Sequence, residues 1–324
     1  MPAASRVSLT GRTFGWAGEN RQWVRGVSQE QEGFLVLLLF MKLANQYLDR
    51  VGQLPPAPTI ATQLLGLFSE PDRDIDRVVN LITHDAVLTG EVLKRCNSAN
   101  FSGAEPIGDM FHAVTQLGFY EVYCVVTALV ASRALSLAPR GSGLDVGKLW
   151  EHSVTTAVAA SALARHAGES EALGFTAGLL HDVGKLILAS VEPAAYGKIL
   201  GQGGTWWGPA LVEAETGAMR VSHALVGAQL LVRWGLPASV VAPVLHHHEI
   251  APALESLALL SAVVHLADGL AHGLKDGSAG TPEISSDSLA AMCVLRLETV
   301  QLPDLLAEIA AGLKHVEGLL QMAA

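Results

Sequence analysis

The chain of 324 residues carries 31 acidic against 21 basic side chains, a formal charge of −10, with 50% hydrophobic and 16% charged residues. That composition excludes an intrinsically disordered chain, and the acidity argues against nucleic acid as a partner, because phosphate contacts need clustered Lys and Arg. No run reaches the roughly 18 apolar residues of a membrane span, so no membrane is expected as a partner. The longest apolar run, 34–41 (FLVLLLFM), is too short, lies late for a signal sequence and is followed by no small-residue cleavage site.

Residues 1–33 are rich in Gly, Ser and Arg, contain Trp16 and Trp23, and show no period. They are expected to form a loose extension, and Met41 is an alternative initiator. A helix is predicted from Phe34, with Phe40, Leu43, Ala44, Tyr47, Leu48 and Val51 in one stripe and Gly52 at its end. Residues 54–58 (LPPAP) form a rigid extended turn, since each Pro fixes its own φ and turns its predecessor away from helix. Short helices follow over 59–68, 75–83, 86–99, 108–117 and 119–136, with Asp74 and Asp85 as N-caps. Alternating strand patterns are nearly absent. These helices make an N-terminal lobe, 34–140, and the linker is 139–143 (PRGSG).

Longer helices are predicted over 147–167, 170–191, 193–201, 208–217, 220–234, 237–248 and 253–272, giving a second lobe over 144–272. A loop at 273–287 and helices at 288–298 and 303–321, the last opened by Pro303, pack on the body as 273–324. The fold class is all-α. Cys96, Cys124 and Cys293 are far apart in apolar surroundings and read as buried thiols of a reducing compartment, the cytoplasm.

The second lobe carries unusual polar residues. His152 follows Trp150; His181 and Asp182 sit inside GLLHDVGKLIL; His223 lies in RVSHALVGAQLL; His246, His247 and His248 close a helix; Asp268 lies in VVHLADGLA. Each of these histidines alone reads as a core or boundary residue, and the triplet alone reads as a solvated helix end. Together they place His or Asp on several separate apolar helices, where a buried charge is costly unless it is paired or binds metal. Inward side chains from several helices converge in a bundle. Six or seven N and O donors exceed what one tetrahedral ion needs and suit two ions bridged by a carboxylate. Mixed imidazole and carboxylate donors favour divalent transition metals, with Fe or Mn ahead of Zn, Ni and Co. A second HD pair, His84-Asp85, precedes a helix and reads as an N-cap. His112, His166, His265, His272 and His315 read as structural.

These segments resemble the HD superfamily and, within it, the HDOD family. The resemblance runs over about 45–272 and rests on LPPAP (54–58), HDAVLTGEVLKRCNSANFSG (84–103), AVTQLG (113–118), LWEHS (149–153), FTAGLLHDVGKLIL (175–188), WGLP (234–237) and HHHE (246–249). It implies a two-lobed helical architecture with an HD-type bundle in the C-terminal lobe, and a role in bacterial signal transduction through a protein partner. Many members have lost the metal ligands, whereas this chain keeps a set similar to that of the HD-GYP phosphodiesterases. Carried over, His152, His181, Asp182 and Asp268 would hold one ion, and Asp182, His223, His247 and His248 the other. Were the chain an enzyme, Asp182 and Lys185 would be catalytic, with Lys185 facing the phosphate of a phosphoester or nucleotide. Two departures count against cyclic-dinucleotide hydrolysis: IAPALES follows His248-Glu249 in place of the GYP loop, and Lys148 stands four residues before His152, where some members have a Glu. The expected function is regulatory, with a dinuclear metal site; the alternative is a metal-dependent phosphohydrolase.

Overall fold

The structure is a computed structural model that describes residues 6–8, 13–15, 29–52, 54, 57–68, 70, 74–97, 107–133, 141–201, 208–248, 255–275 and 286–316. Several expectations fall outside these residues: Pro139 and Arg140 of the linker, Glu249 and the start of IAPALES, most of the loop after Lys275, and the end of the last helix.

Ahead of the helices, β1 (Arg6–Ser8) pairs antiparallel with β2 (Thr13–Gly15), with Val7 in register with Phe14. Most of the extension expected over 1–33 lies outside the described residues, and α1 (Gln29–Arg50) begins five residues before Phe34. Then come α2 (Thr59–Phe68), α3 (Ile75–Thr83), α4 (Ala86–Cys96), α5 (Met110–Leu117) and α6 (Phe119–Ser132). Side-chain oxygens fix where these helices start: Asp74 accepts from the Asp76 amide, Asp85 from Leu88 and Asp109 from His112. The His84-Asp85 pair is therefore a helix cap, as expected.

The remaining helices are α7 (Val146–His166), α8 (Glu171–Leu180), α9 (Val183–Val191), α10 (Pro193–Gly201), α11 (Gly208–Met219), α12 (His223–Arg233), α13 (Ala238–His246), α14 (Glu255–Lys275), α15 (Ser286–Val294) and α16 (Leu302–His315). One prediction fails here. The helix expected over 170–191 is two helices, broken at His181-Asp182. By length and hydropathy, Glu171–Val191 resembles a membrane span, yet 94% of its most apolar 18-residue window is buried inside this fold.

The main apolar cluster runs without interruption from α1–α6 into α7–α13, joining Leu48, Ile82 and Val126 to Trp150, Phe175, Leu188 and Val244. A second cluster joins α7 to α14, α15 and α16 through Ala160, Leu163, Val263, Leu266, Met292 and Ile309. Helix α7 lies between the two, so its polar residue His152 sits at the seam. Glycines bring α8 against α7: a Cβ at Gly174 would lie 2.6 Å from the Ala160 carbonyl oxygen, and one at Gly178 would lie 2.8 Å from that of Thr156.

Cys96 and Cys124 are buried, and burial pushes the Cys96 thiol up to about 11. Cys293 is exposed, contrary to expectation, because α15 turns one face outward. Thiolates are the reactive form. Ellman titration of native protein is therefore expected to find one fast thiol, and all three after denaturation. Two fast thiols would contradict the packing of α4 or α6.

Candidate metal centre

Two histidines end the helices that carry them. His181 Nδ1 donates to the Gly178 carbonyl at 2.7 Å, and His247 Nδ1 donates to the Val244 carbonyl, also at 2.7 Å. Each ring captures a carbonyl three residues back, one of the groups a helix C-terminus leaves unpaired. His223, the first residue of α12, has its Nδ1 held by Glu215 at 2.7 Å. In all three rings Nδ1 carries a proton to its acceptor, so Nε2 is the nitrogen that faces the pocket.

Those Nε2 atoms meet. His223 Nε2 lies 2.9 Å from His248 Nε2 and 3.4 Å from His247 Nε2; His152 Nε2 lies 3.2 Å from His181 Nε2. Asp182 divides its carboxylate between the two sets. Oδ1 is 3.3 Å from His223 Nε2 and 3.8 Å from His247, while Oδ2 is 3.3 Å from His181 and 3.8 Å from His152. Asp268 Oδ1 approaches His152 at 2.9 Å and His181 at 3.7 Å. Donors sharing one ion at metal–ligand distances near 2.0–2.2 Å stand about 3.0–3.5 Å apart, so these spacings fit common coordination. Every one of the seven predicted residues is at most 7% exposed. The structure gathers His152, His181, Asp182, His223, His247, His248 and Asp268 into one pocket; His246 of the triplet belongs to no group of candidate ligands.

The electrostatics call for a cation. Asp182, Asp268 and Glu215 bury three carboxylates against one ammonium, Lys185, whose Nζ donates to Asp182 Oδ2 at 2.6 Å. Asp182 Oδ1 is buried without a hydrogen-bond partner. Bare lone pairs and carboxylate oxygens this close repel unless a proton or a metal ion lies among them. Burial draws His181 down, but Asp182 and Asp268 win and hold it up at about 10. Burial draws His152 down to about 4 against the pull of Asp268, and it draws His247 and His248 well below the ordinary range with the help of neighbouring imidazoles. Burial also opposes ionisation of Asp182, yet His181 and Lys185 hold its carboxyl well below the ordinary value. The neutral imidazoles of His152, His247 and His248 beside ionised carboxylates suit a divalent transition ion, and His181 would give up its Nε2 proton on joining them.

The sign of the pH dependence follows for chelated protein. His152, folded near 4 and unfolded near 6.5, loses stability as pH falls from about 6.5 to 4. His181, folded near 10, loses it as pH rises from about 6.5 to 10. Melting midpoints in chelator should therefore peak near neutrality and fall on both sides; a flat profile between pH 4 and 10 would contradict these assignments.

Two residues escaped the sequence reading. His272, read as structural, stacks on His152 with ring centroids 4.2 Å apart and brings Nε2 within 3.3 Å of Asp268 Oδ1. It lies one turn after Asp268, which was the available signal. Glu215, fully buried, is the other.

A family model for the HDOD domain matches residues 54–250, a span that holds six of the seven predicted ligands and ends before Asp268. An uncharacterized protein of Treponema pallidum is 27% identical over 237 residues, which are 70% of this chain and 45% of that protein. The chain thus spans under half the length of this relative. The crystal structure of an HDOD domain protein of unknown function from Geobacter sulfurreducens superposes with a TM-score of 0.69 at 25% identity, over 89% of this chain and 98% of that one. A candidate signal-transduction protein from Marinobacter aquaeolei has the same fold, with a TM-score of 0.67 at 21% identity over 92% of this chain and 67% of its own.

Proposed function

The chain belongs to the HDOD family, and from that premise we propose that it is a bacterial signalling regulator built around a transition-metal centre, acting by binding a protein partner. The observation that carries the metal reading is the convergence of seven buried His and Asp donors on a pocket that holds more negative than positive charge. His152, His181, Asp182 and Asp268 would hold one ion, and Asp182, His223, His247 and His248 a second; Fe or Mn suits this donor set best. Regulation is favoured over catalysis by burial. The crevice that reaches Asp182 is lined mainly by apolar side chains, among them Ala131, Leu149, Trp150 and Leu186, and the Lys185 ammonium is engaged by Asp182. Metal binding to such a site stabilises the fold that carries the partner surface.

A second reading, a metal-dependent phosphohydrolase, is favoured by Asp182, whose two oxygens face the two groups of donors as a bridging carboxylate does. Two ions there would supply Lewis-acid activation of a phosphoester. The contribution of this chain would be to hold the ions and to place the Lys185 ammonium beside them.

One experiment separates the two. Purified protein loaded with Mn(II) or Fe(II) is melted with and without chelator and assayed on a panel of nucleotides and cyclic dinucleotides. Regulation expects the midpoint to fall by roughly 5–10 °C on chelation, without turnover. Turnover near 1 s⁻¹ or faster that vanishes in Asp182→Asn would overturn it in favour of hydrolysis.

A further inference from the structure

In the pocket, His181 and His247 rest Nδ1 on main-chain carbonyls, whereas His223 rests its Nδ1 on a carboxylate. That carboxylate belongs to Glu215 of α11 and is completely buried. Its Oε2 accepts from both the His223 amide at 2.8 Å and His223 Nδ1 at 2.7 Å, while Oε1 accepts from the Tyr196 hydroxyl of α10 at 3.0 Å. The turn between α11 and α12 is bent to allow this: Arg220 has a φ of 66°, a left-handed conformation unusual for a residue with a side chain. The chain thereby doubles back, and the first amide of α12 meets an acid eight residues upstream.

We infer that Glu215 is a positioning residue that sets the metal affinity of the Asp182–His223–His247–His248 position. This rests on the metal reading above. The carboxylate locks the His223 ring with its proton on Nδ1, aims Nε2 at Asp182, His247 and His248, and makes that nitrogen a stronger donor than one backed by a neutral carbonyl. Its own charge, buried one ring away, adds to the attraction for a cation. A purely structural role is the competing explanation, because the same oxygen satisfies an orphan amide in the first turn of α12.

Glu215→Gln separates these roles, since the amide keeps an oxygen acceptor of the same shape and discards the charge. Chelated wild-type and variant protein are titrated with Mn(II), their melting midpoints are compared without metal, and the histidine ring nitrogens of wild type are assigned by NMR with and without Zn(II). The expected result is binding about 10- to 100-fold weaker in the variant, metal-free midpoints within a few degrees, and a His223 ring protonated at Nδ1 with Zn(II) on Nε2. Equal affinity in the two proteins would overturn the role of Glu215 while leaving the metal centre standing. Failure of wild type to bind at all would overturn both. Should the variant not fold, the tautomer decides: a His223 protonated at Nε2 in wild type would refute the inference.

Discussion

Asp182→Asn is expected to empty both proposed metal positions at once, lowering bound metal to under a tenth of the wild-type content. Its carboxylate divides between the two groups: Oδ1 approaches His223 and His247, and Oδ2 approaches His152 and His181. An amide presents one oxygen and no charge, so neither ion would keep its shared ligand. The change also removes the counter-charge beside Lys185 and His181, and breaking a buried ion pair costs roughly 3–5 kcal/mol, so metal content is to be read on folded material verified by circular dichroism. Two milder variants guard against a folding defect. His248→Ala and Asp268→Asn each touch one position, and each is expected to lower the content from about two ions per chain to about one. Equal losses in all three variants would contradict a bridging role for Asp182.

Gly184→Ala is expected to be the most damaging Gly-to-Ala change among the described glycines. A Cβ there would lie 2.0 Å from the His223 carbonyl oxygen and 2.7 Å from the Gly227 amide nitrogen. Both are backbone atoms, so no side chain can swing aside, and α9 must separate from α12. Overpacking of this severity costs at least about 3 kcal/mol, or some 6–12 °C in the melting midpoint, and it shifts His223 away from Asp182. Gly217→Ala is the control: this glycine is on the exposed face of α11 with nothing within 4 Å of the added carbon, and the change should be neutral or stabilising by up to about 1 kcal/mol. Similar midpoints for the two variants would show that α9 and α12 are not in contact through Gly184.

The periodicity and the caps made most helices readable from the sequence, because each is an amphipathic segment started by a local side chain. The seven candidate ligands stood out because polar residues inside apolar helices need a reason. The break at His181-Asp182 was not, since apolar residues continue on both sides of it and what ends α8 is a ring reaching back to the Gly178 carbonyl. Glu215 was hidden for a different reason. It stands in VEAETG beside Glu213, which is exposed, and only the left-handed turn at Arg220 reveals that one acid points inward. His272 looked like any solitary histidine until α14 set it one turn beyond Asp268. Cys293 was misjudged because its neighbours along the chain are apolar while its face of α15 is not covered.

Elemental analysis of untagged wild-type protein, purified without chelator and passed through gel filtration, tests the metal pocket most directly. About two transition-metal ions per chain, dropping to background when His181→Ala and Asp182→Ala are combined, is the expected result. A folded wild-type chain that carries less than about a tenth of an ion, and takes up none on incubation with Mn(II) or Fe(II), would mean that protons alone hold these seven side chains together.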